Sequence, residues 1–172
     1  PLAVANSLRL NNTEVVNATL TTATVINNFA FYHYTKLQKI TIPGTVKTIG
    51  FSAFNGCTNL TNPAIPTSVT LIDEHAFEEC TSITAITVPD STAANQTKTI
   101  KDSAFNKCNS LTSVHIGKEV TTIGKGAFAG CTSVAEMTLP FVGSSASATS
   151  ASNSDTASTL FGWIFGSTYY VD

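Results

Sequence analysis

Charge is scarce in this chain of 172 residues. Nine Lys and Arg and eleven Asp and Glu amount to 12% of it, with a formal net charge of -2. About a quarter is usual. Nine scattered basic residues do not make the dense stripe that phosphate binding needs, so no nucleic-acid partner is expected. A nearly neutral surface also gives little steering of charged ligands and little attraction to a membrane. No apolar run approaches the roughly 20 residues of a membrane helix, so no membrane insertion is expected. The sequence opens on Pro1 without a basic-plus-apolar leader, and any signal peptide is expected to lie outside it. There is one Trp and one Met, and there are three His. No Gly-x-Ser-x-Gly elbow and no His-Glu-x-x-His pair occurs. Gly124-Lys125-Gly126 lacks the spacing of a phosphate-binding loop. No catalytic residue, cofactor or metal site is expected from these motifs.

What the chain does have is a period. Ala-Phe followed by Cys recurs as Ala53-Phe54 and Cys57, Ala76-Phe77 and Cys80, Ala104-Phe105 and Cys108, and Ala127-Phe128 and Cys131, with the cysteines 23, 28 and 23 residues apart. Upstream of each, apolar positions repeat in step. They are Leu37, Ile40, Ile42, Pro43, Val46 and Ile49 in one unit, and Leu60, Pro63, Ile65, Pro66, Val69 and Ile72 in the next. The last full unit has Leu111, Val114, Ile116, Gly117, Val120 and Ile123. The unit before it, with Ile83, Ile86, Val88, Pro89 and Ile100, carries five extra residues between Pro89 and Thr97. A worn unit ends in Ile26, Ala30, Phe31 and Tyr34, with Tyr in the Cys slot, and another begins at Val134, Met137, Leu139 and Pro140. The units are numbered one (14–36), two (37–59), three (60–82), four (83–110), five (111–133) and six (partial, 134–140).

Leu-x-x-Ile-x-Ile is half-alternating and β-branched, so it predicts a short strand with Ile40 and Ile42 inward. Pro43 ends it. Val46-x-x-Ile49 returns the chain across the core, with room for a second short strand, and Ala-Phe with Cys predicts a tight helical or 3₁₀ turn that drops Phe and Cys inside. Burying a large apolar side chain contributes about 1.5–3 kcal/mol. Ordering a residue costs about 1–2 kcal/mol in backbone entropy. A lone unit with some seven core side chains therefore does not fold, and stacking on neighbours supplies the missing burial.

The string from Leu111 to Ser133, LTSVHIGKEVTTIGKGAFAGCTS, resembles the repeat of BspA-like leucine-rich-repeat proteins. The resemblance runs over roughly residues 14–140. It implies a right-handed leucine-rich-repeat solenoid of about five 23-residue repeats, with short parallel strands, loops and helical turns. It further implies a non-catalytic, extracellular or cell-surface chain that adheres to host or cell-surface proteins, or serves as a spacer in a longer one. The sequence departs from the pattern at Gly117 in the Pro slot, at Pro63 on an inward strand position, at the five-residue insertion and in the worn first unit.

Residues 143–159 are nearly all Ser, Ala and Thr and are expected to form a flexible loop. Residues 160–172 are apolar again, with Leu160, Phe161, Trp163, Ile164, Phe165, Tyr169, Tyr170 and Val171. This segment is expected to fold back over unit six with Trp163 as anchor, because an open solenoid end needs a cover. Alternatively, or in addition, more repeats follow Asp172. The Pro-Phe-Val-Gly start and Phe-Gly-x-Ile-Phe-Gly end resemble an interruption in some BspA-like chains.

Stacking would line the four cysteines in a column with parallel Cβ vectors, which suits buried thiols better than disulfides and does not converge on a metal. The histidines His33, His75 and His115 occupy different units and repeat positions. The acidic group Asp73, Glu74, Glu78 and Glu79 lacks the alternating ligands of a calcium loop and reads as a solvated edge. The candidate partner-binding surface is the outward strand face, with Lys39, Thr41, Asn62, Thr87, Ser113, His115, Glu136 and Thr138, together with Ala64 and Ala85. It holds no Trp or Tyr. A second aromatic set, Phe29, Tyr32, His33 and Tyr34, is read mainly as the cover of the N-terminal edge.

Overall fold

The computed structural model describes residues 9–10, 13–91, 96–141, 145 and 160–166. Most of the 143–159 loop, the side chains of Leu160 and Phe161, and Tyr169, Tyr170 and Val171 lie outside them.

Units one, two, four and five each supply two short strands. A short hairpin, β1 (Arg9–Leu10) with β2 (Thr13–Glu14), precedes the array. Unit one then supplies β3 (Asn17–Thr19) and β4 (Val25–Ile26), and unit two supplies β5 (Lys39–Thr41) and β6 (Thr48–Ile49). Unit three has only β7 (Leu71–Ile72). Unit four gives β8 (Ala85–Val88) and β9 (Lys98–Ile100), unit five β10 (Ser113–Ile116) and β11 (Val120–Ile123), and unit six β12 (Glu136–Thr138). The return strands stack as one parallel sheet, β11-β9-β7-β6-β4. The outward-facing strands form two parallel sheets, β3-β5 and β12-β10-β8. This is a leucine-rich-repeat solenoid, built as the period predicts.

The split between the two outward-facing sheets falls at Asn62-Pro63. Pro63 has no N–H to give a ladder. Asn62 sits at φ 28°, outside the strand region. Its side chain takes over the lost pairing: Oδ1 accepts the N–H of Thr84 at 2.9 Å and of Ala85 at 3.0 Å, and Nδ2 lies 3.1 Å from Thr84 Oγ1.

The core is a set of columns. Phe31, Phe54, Phe77, Phe105 and Phe128 stack with centroids 5.2, 5.0, 5.4 and 5.1 Å apart and planes within 8°. Beside them Cys57, Cys80, Cys108 and Cys131 are buried and free. Each thiol donates to the carbonyl of the preceding unit's Phe, at 3.0–3.2 Å. Tyr34 fills the first Cys slot and its hydroxyl donates to the Val15 carbonyl at 2.6 Å. Gly117 replaces Pro in unit five for a steric reason. A Cβ there would lie 2.7 Å from Asp90 Oδ1 and 2.8 Å from its amide nitrogen.

The turns are not α-helical: their internal bonds span three residues, as in a 3₁₀ turn, but residues of positive φ interrupt them. Residues two before and two after each column Phe have positive φ: Phe29 and His33, Ser52 and Gly56, His75 and Glu79, Ser103 and Lys107, Gly126 and Gly130. This alternation splits the amides into two sets. Ala53, Asn55 and Cys57 donate within the turn, to Gly50, Ser52 and Phe54. Ser52, Phe54 and Gly56 donate forward, to the carbonyls of Glu74, Ala76 and Glu78 in the next unit. The same three forward bonds recur from unit one to two, three to four and four to five. Seven of the ten positive-φ positions carry a side chain, at about 1–2 kcal/mol each in local strain. The junction bonds and the buried Phe offset that cost.

The insertion hides one substitution. Lys98 pairs with Val120 in register and occupies the valine slot of the core, 2% exposed. Its Nζ donates to the Pro89 carbonyl at 2.6 Å. Desolvation holds the ammonium below its ordinary pKa, against the pull of Glu119 and Asp90.

Candidate interaction surfaces

Register fixes the geometry of the strand face. Ser113 stands beside Ala85 and Glu136, and His115 beside Thr87 and Thr138. Lys39 and Thr41 stand beside Asn17 and Thr19. The expected strand residues thus form two files of outward side chains within each sheet, interrupted at unit three, where Asn62 and Ala64 lie outside any strand. Lys39, Thr41, Asn62, Thr87, His115, Glu136 and Thr138 are exposed, while Ser113 and Ala85 are half-buried. Asn62 differs from the rest. Its amide is committed to Thr84 and Ala85, so it holds the face together across unit three.

The aromatic set divides. Tyr34 is a core residue, 5% exposed. Phe29 and Tyr32 are 49% and 48% exposed. They belong to an edge-to-face chain that runs Tyr32, Phe29, Phe51 and His75, with centroids 5.5, 5.2 and 5.6 Å apart. The sequence pointed to this patch, but Phe51 and His75 were not part of it, because they lie one and two units away.

Three of the four acidic side chains, Asp73, Glu78 and Glu79, are spent on rungs between units. Asp73 pairs with Lys101 at 3.0 Å and Glu79 with Lys107 at 2.7 Å. The Lys107 ammonium holds the Glu79 carboxyl below its ordinary range. Glu78 accepts from Asn55 Nδ2 at 2.8 Å and Asn106 Nδ2 at 2.6 Å, bridging units two and four, and His75 Nδ1 lies 2.9 Å from it. Among the described residues no group of three or more His, Cys, Asp or Glu is placed to hold a metal ion. Burial pushes the Cys57 thiol up to about 12 and Cys80 well above its ordinary value. For Cys108 a hydrogen bond with the Cys131 thiol, then burial, does the same. Thiols held protonated in this way are poor nucleophiles.

At the far end, α1 (Leu160–Phe165) seats on unit five. Trp163 and Ile164 carbonyls accept the N–H groups of Gly126 at 2.7 Å and Phe128 at 3.0 Å, and Trp163 Nε1 donates to the Ile123 carbonyl at 2.9 Å. Trp163 is an anchor, but its seat is unit five rather than unit six. Gly126 and Phe128 are the forward donors of their turn, and they have an address that apolar composition does not reveal.

The family model described as BspA type leucine rich repeat region matches residues 7–135 and 98–159, in 6 copies. The solved leucine-rich-repeat protein of T. pallidum is similar at 30% identity and a TM-score of 0.67, over 73% of this chain and 59% of that one. A leucine-rich-repeat protein from Bacteroides ovatus is similar at 28% identity and a TM-score of 0.63, over 80% of this chain and 39% of that one. The chain therefore spans less than two thirds of either relative's length. No curated protein sequence matches it.

Proposed function

The chain belongs to the BspA-type leucine-rich-repeat family, and from that premise we propose that it is a non-catalytic, partner-binding module of an extracellular or cell-surface protein. The observation that carries this reading is the strand face. Within each of its two sheets the outward side chains stand in register, most of them exposed, small and polar with Lys39 and Glu136 as the charged exceptions, on a scaffold whose apolar burial lies behind them. Such a surface fits an extended protein partner that it meets through many small contacts. Asp73, Glu78 and Glu79 are tied into rungs between units, and the four thiols are buried.

A second reading, a spacer that carries other domains, draws on one observation. The face has no Trp or Tyr, the residues that dominate binding energy at most interfaces. Binding to purified extracellular-matrix and host cell-surface proteins separates the two, with wild type compared with a Lys39→Glu, Thr87→Glu, His115→Glu variant. All three sites are exposed, and Thr87 and His115 stand side by side, so the two new carboxylates repel and lower the melting temperature a little without unfolding the variant. Loss of tenfold or more in affinity supports binding through this face. Equal affinity in the two moves recognition off it, and no binding to the panel supports the spacer.

A further inference from the structure

The fold gives the strand face a charge order. From unit two to unit six one file runs Lys39, Asn62, Ala85, Ser113 and Glu136, and the other Thr41, Ala64, Thr87, His115 and Thr138, with Asn62 and Ala64 at the matching places of unit three. Lys39 and Glu136 carry the full charges, and they stand at opposite ends. Both are exposed, and neither has an ion-pair partner among the described residues. Charges that flank the face come in opposite pairs. Lys36 lies 4.0 Å from Glu14, and Asp90 accepts the N–H of Lys118 at 2.9 Å. Between Lys39 and Glu136 the floor is low. Ala64 and Ala85 end in a methyl group, and Ser113 is half-buried. The Asn62 carboxamide is tied to Thr84 and Ala85.

Resting on the reading of the strand face as the binding surface, we infer that it selects an extended polypeptide segment laid along the solenoid axis, with an acidic side chain over Lys39, a basic one over Glu136 and two apolar side chains on the floor between them. The direction follows from the dimensions. The outward strands of units two, four, five and six have only three or four residues, so a segment laid across them meets two outward side chains. Laid along the axis, it meets a new pair at every unit. Lys39 and Glu136 are four units apart, about 19 Å at about 4.8 Å per strand. An extended chain rises about 3.3 Å per residue, so about six residues span that distance. Six is even, and alternate residues of an extended chain point the same way. Both charges therefore face the solenoid, together with the second and fourth residues after the first of them. Those two lie above Asn62, Ala85 and Ser113, where methyl groups are on offer and the Asn62 carboxamide is already spent. Exposed ion pairs add little affinity, but they decide which partner is accepted and which way round it lies.

The test offers the immobilised full chain a phage-displayed library of random segments. The expected result is an enrichment of about tenfold for segments with an acid and a base six residues apart over segments with the same charges five or seven apart, which put one charge on the far side. Charge reversal then gives three further arms. Lys39 stands beside Asn17 and Glu136 beside Ser113, so reversal brings no like charges together within the sheets. Lys39→Glu is expected to retain segments with two bases, and Glu136→Lys segments with two acids. The double reversal is expected to retain acid-and-base segments again, turned end for end. Ala64→Trp, at an exposed site, fills the floor and is expected to release them all. Segments that are lost on Ala64→Trp yet ignore every charge reversal overturn this inference and leave the strand face as the binding surface. A charge preference without a preference for spacing overturns the axial pose. If nothing is retained, or if what is retained survives Ala64→Trp, recognition lies off the face and both readings fall.

Discussion

Phe105→Ala tests whether the ring column is the energetic spine of the molecule. Phe105 is fully buried, stacked on Phe77 at 5.4 Å and on Phe128 at 5.1 Å. Truncation loses the buried ring and leaves a cavity, which costs about 3–5 kcal/mol. Two aromatic contacts at about 0.5–1.5 kcal/mol each place the loss at the upper end of that range. Phe31 has a single ring neighbour, Phe54, and is only partly buried. Phe31→Ala is therefore expected to cost about 2 kcal/mol. The assay is urea denaturation read by far-UV circular dichroism and by the fluorescence of Trp163, the one Trp, which sits on unit five. In a stacked array, stability sums over units and junctions. A broken rung at unit four should therefore bring the Trp163 transition down first and separate it from the dichroism. Equal costs at Phe105 and Phe31, with the two probes still coincident, refute the reasoning.

Strain in the turns gives a second prediction. Ser103→Gly removes an αL side chain that makes no hydrogen bond, and is expected to raise stability by about 0.5–1 kcal/mol, the αL cost less the entropy of Gly; Gly130→Ala, at φ 71° with its Cβ 3.3 Å from Lys107 Cγ, should lower it by about 1 kcal/mol in the same melts. The buried thiols set a pH limit. The Cys57 thiol titrates at 9.0 unfolded and about 12 folded, so the unfolded chain loses its proton first; stability is full below pH 9 and falls by about 4 kcal/mol by pH 12 from this residue alone. Urea midpoints at rising pH check this, and Cys57→Val should flatten the decline; a midpoint unchanged from pH 8 to 11 contradicts it. Asn62→Ala deletes the acceptor of two amides and is expected to cost about 1–2 kcal/mol, with faster hydrogen exchange at Thr84 and Ala85.

The solenoid, its columns and the outward face were legible because each depends on a repeated side chain. Ile40, Ile42, Phe54 and Cys57 carry their own burial in their chemistry and spacing. The turn conformation was not legible, because Phe, His, Ser, Glu, Lys and Gly all occupy its positive-φ positions, and no residue type marks them. Lys98 in the valine slot was hidden because it lies two residues before Ile100 where the other units count three, the ladder shifting register between Val120 and Thr122. Pro63 stood out as a departure, yet the period still placed Asn62 and Ala64 on the strand face; unit three has no outward strand, and the repair depends on the reach of the Asn62 side chain, which spacing does not encode. The seat of α1 was misplaced by one unit for a related reason. Trp163 and Ile164 were visible as apolar, while the backbone donors that hold them belong to a turn whose geometry was hidden.

The gap at Asn62-Pro63 also sets how the rod yields. Pull the two ends apart, and every junction carries the same load in series. On the return side five strands share it without interruption. On the outward side the load between β5 and β8 passes from Gln38 to Thr61 through its amide and hydroxyl, and from Asn62 onward through one carboxamide. The joint at unit three gives first, and it gives asymmetrically. The strand face opens like a book while the return sheet acts as its binding, so a partner lying across units two to four would feel tension as a change in the curvature of its footing.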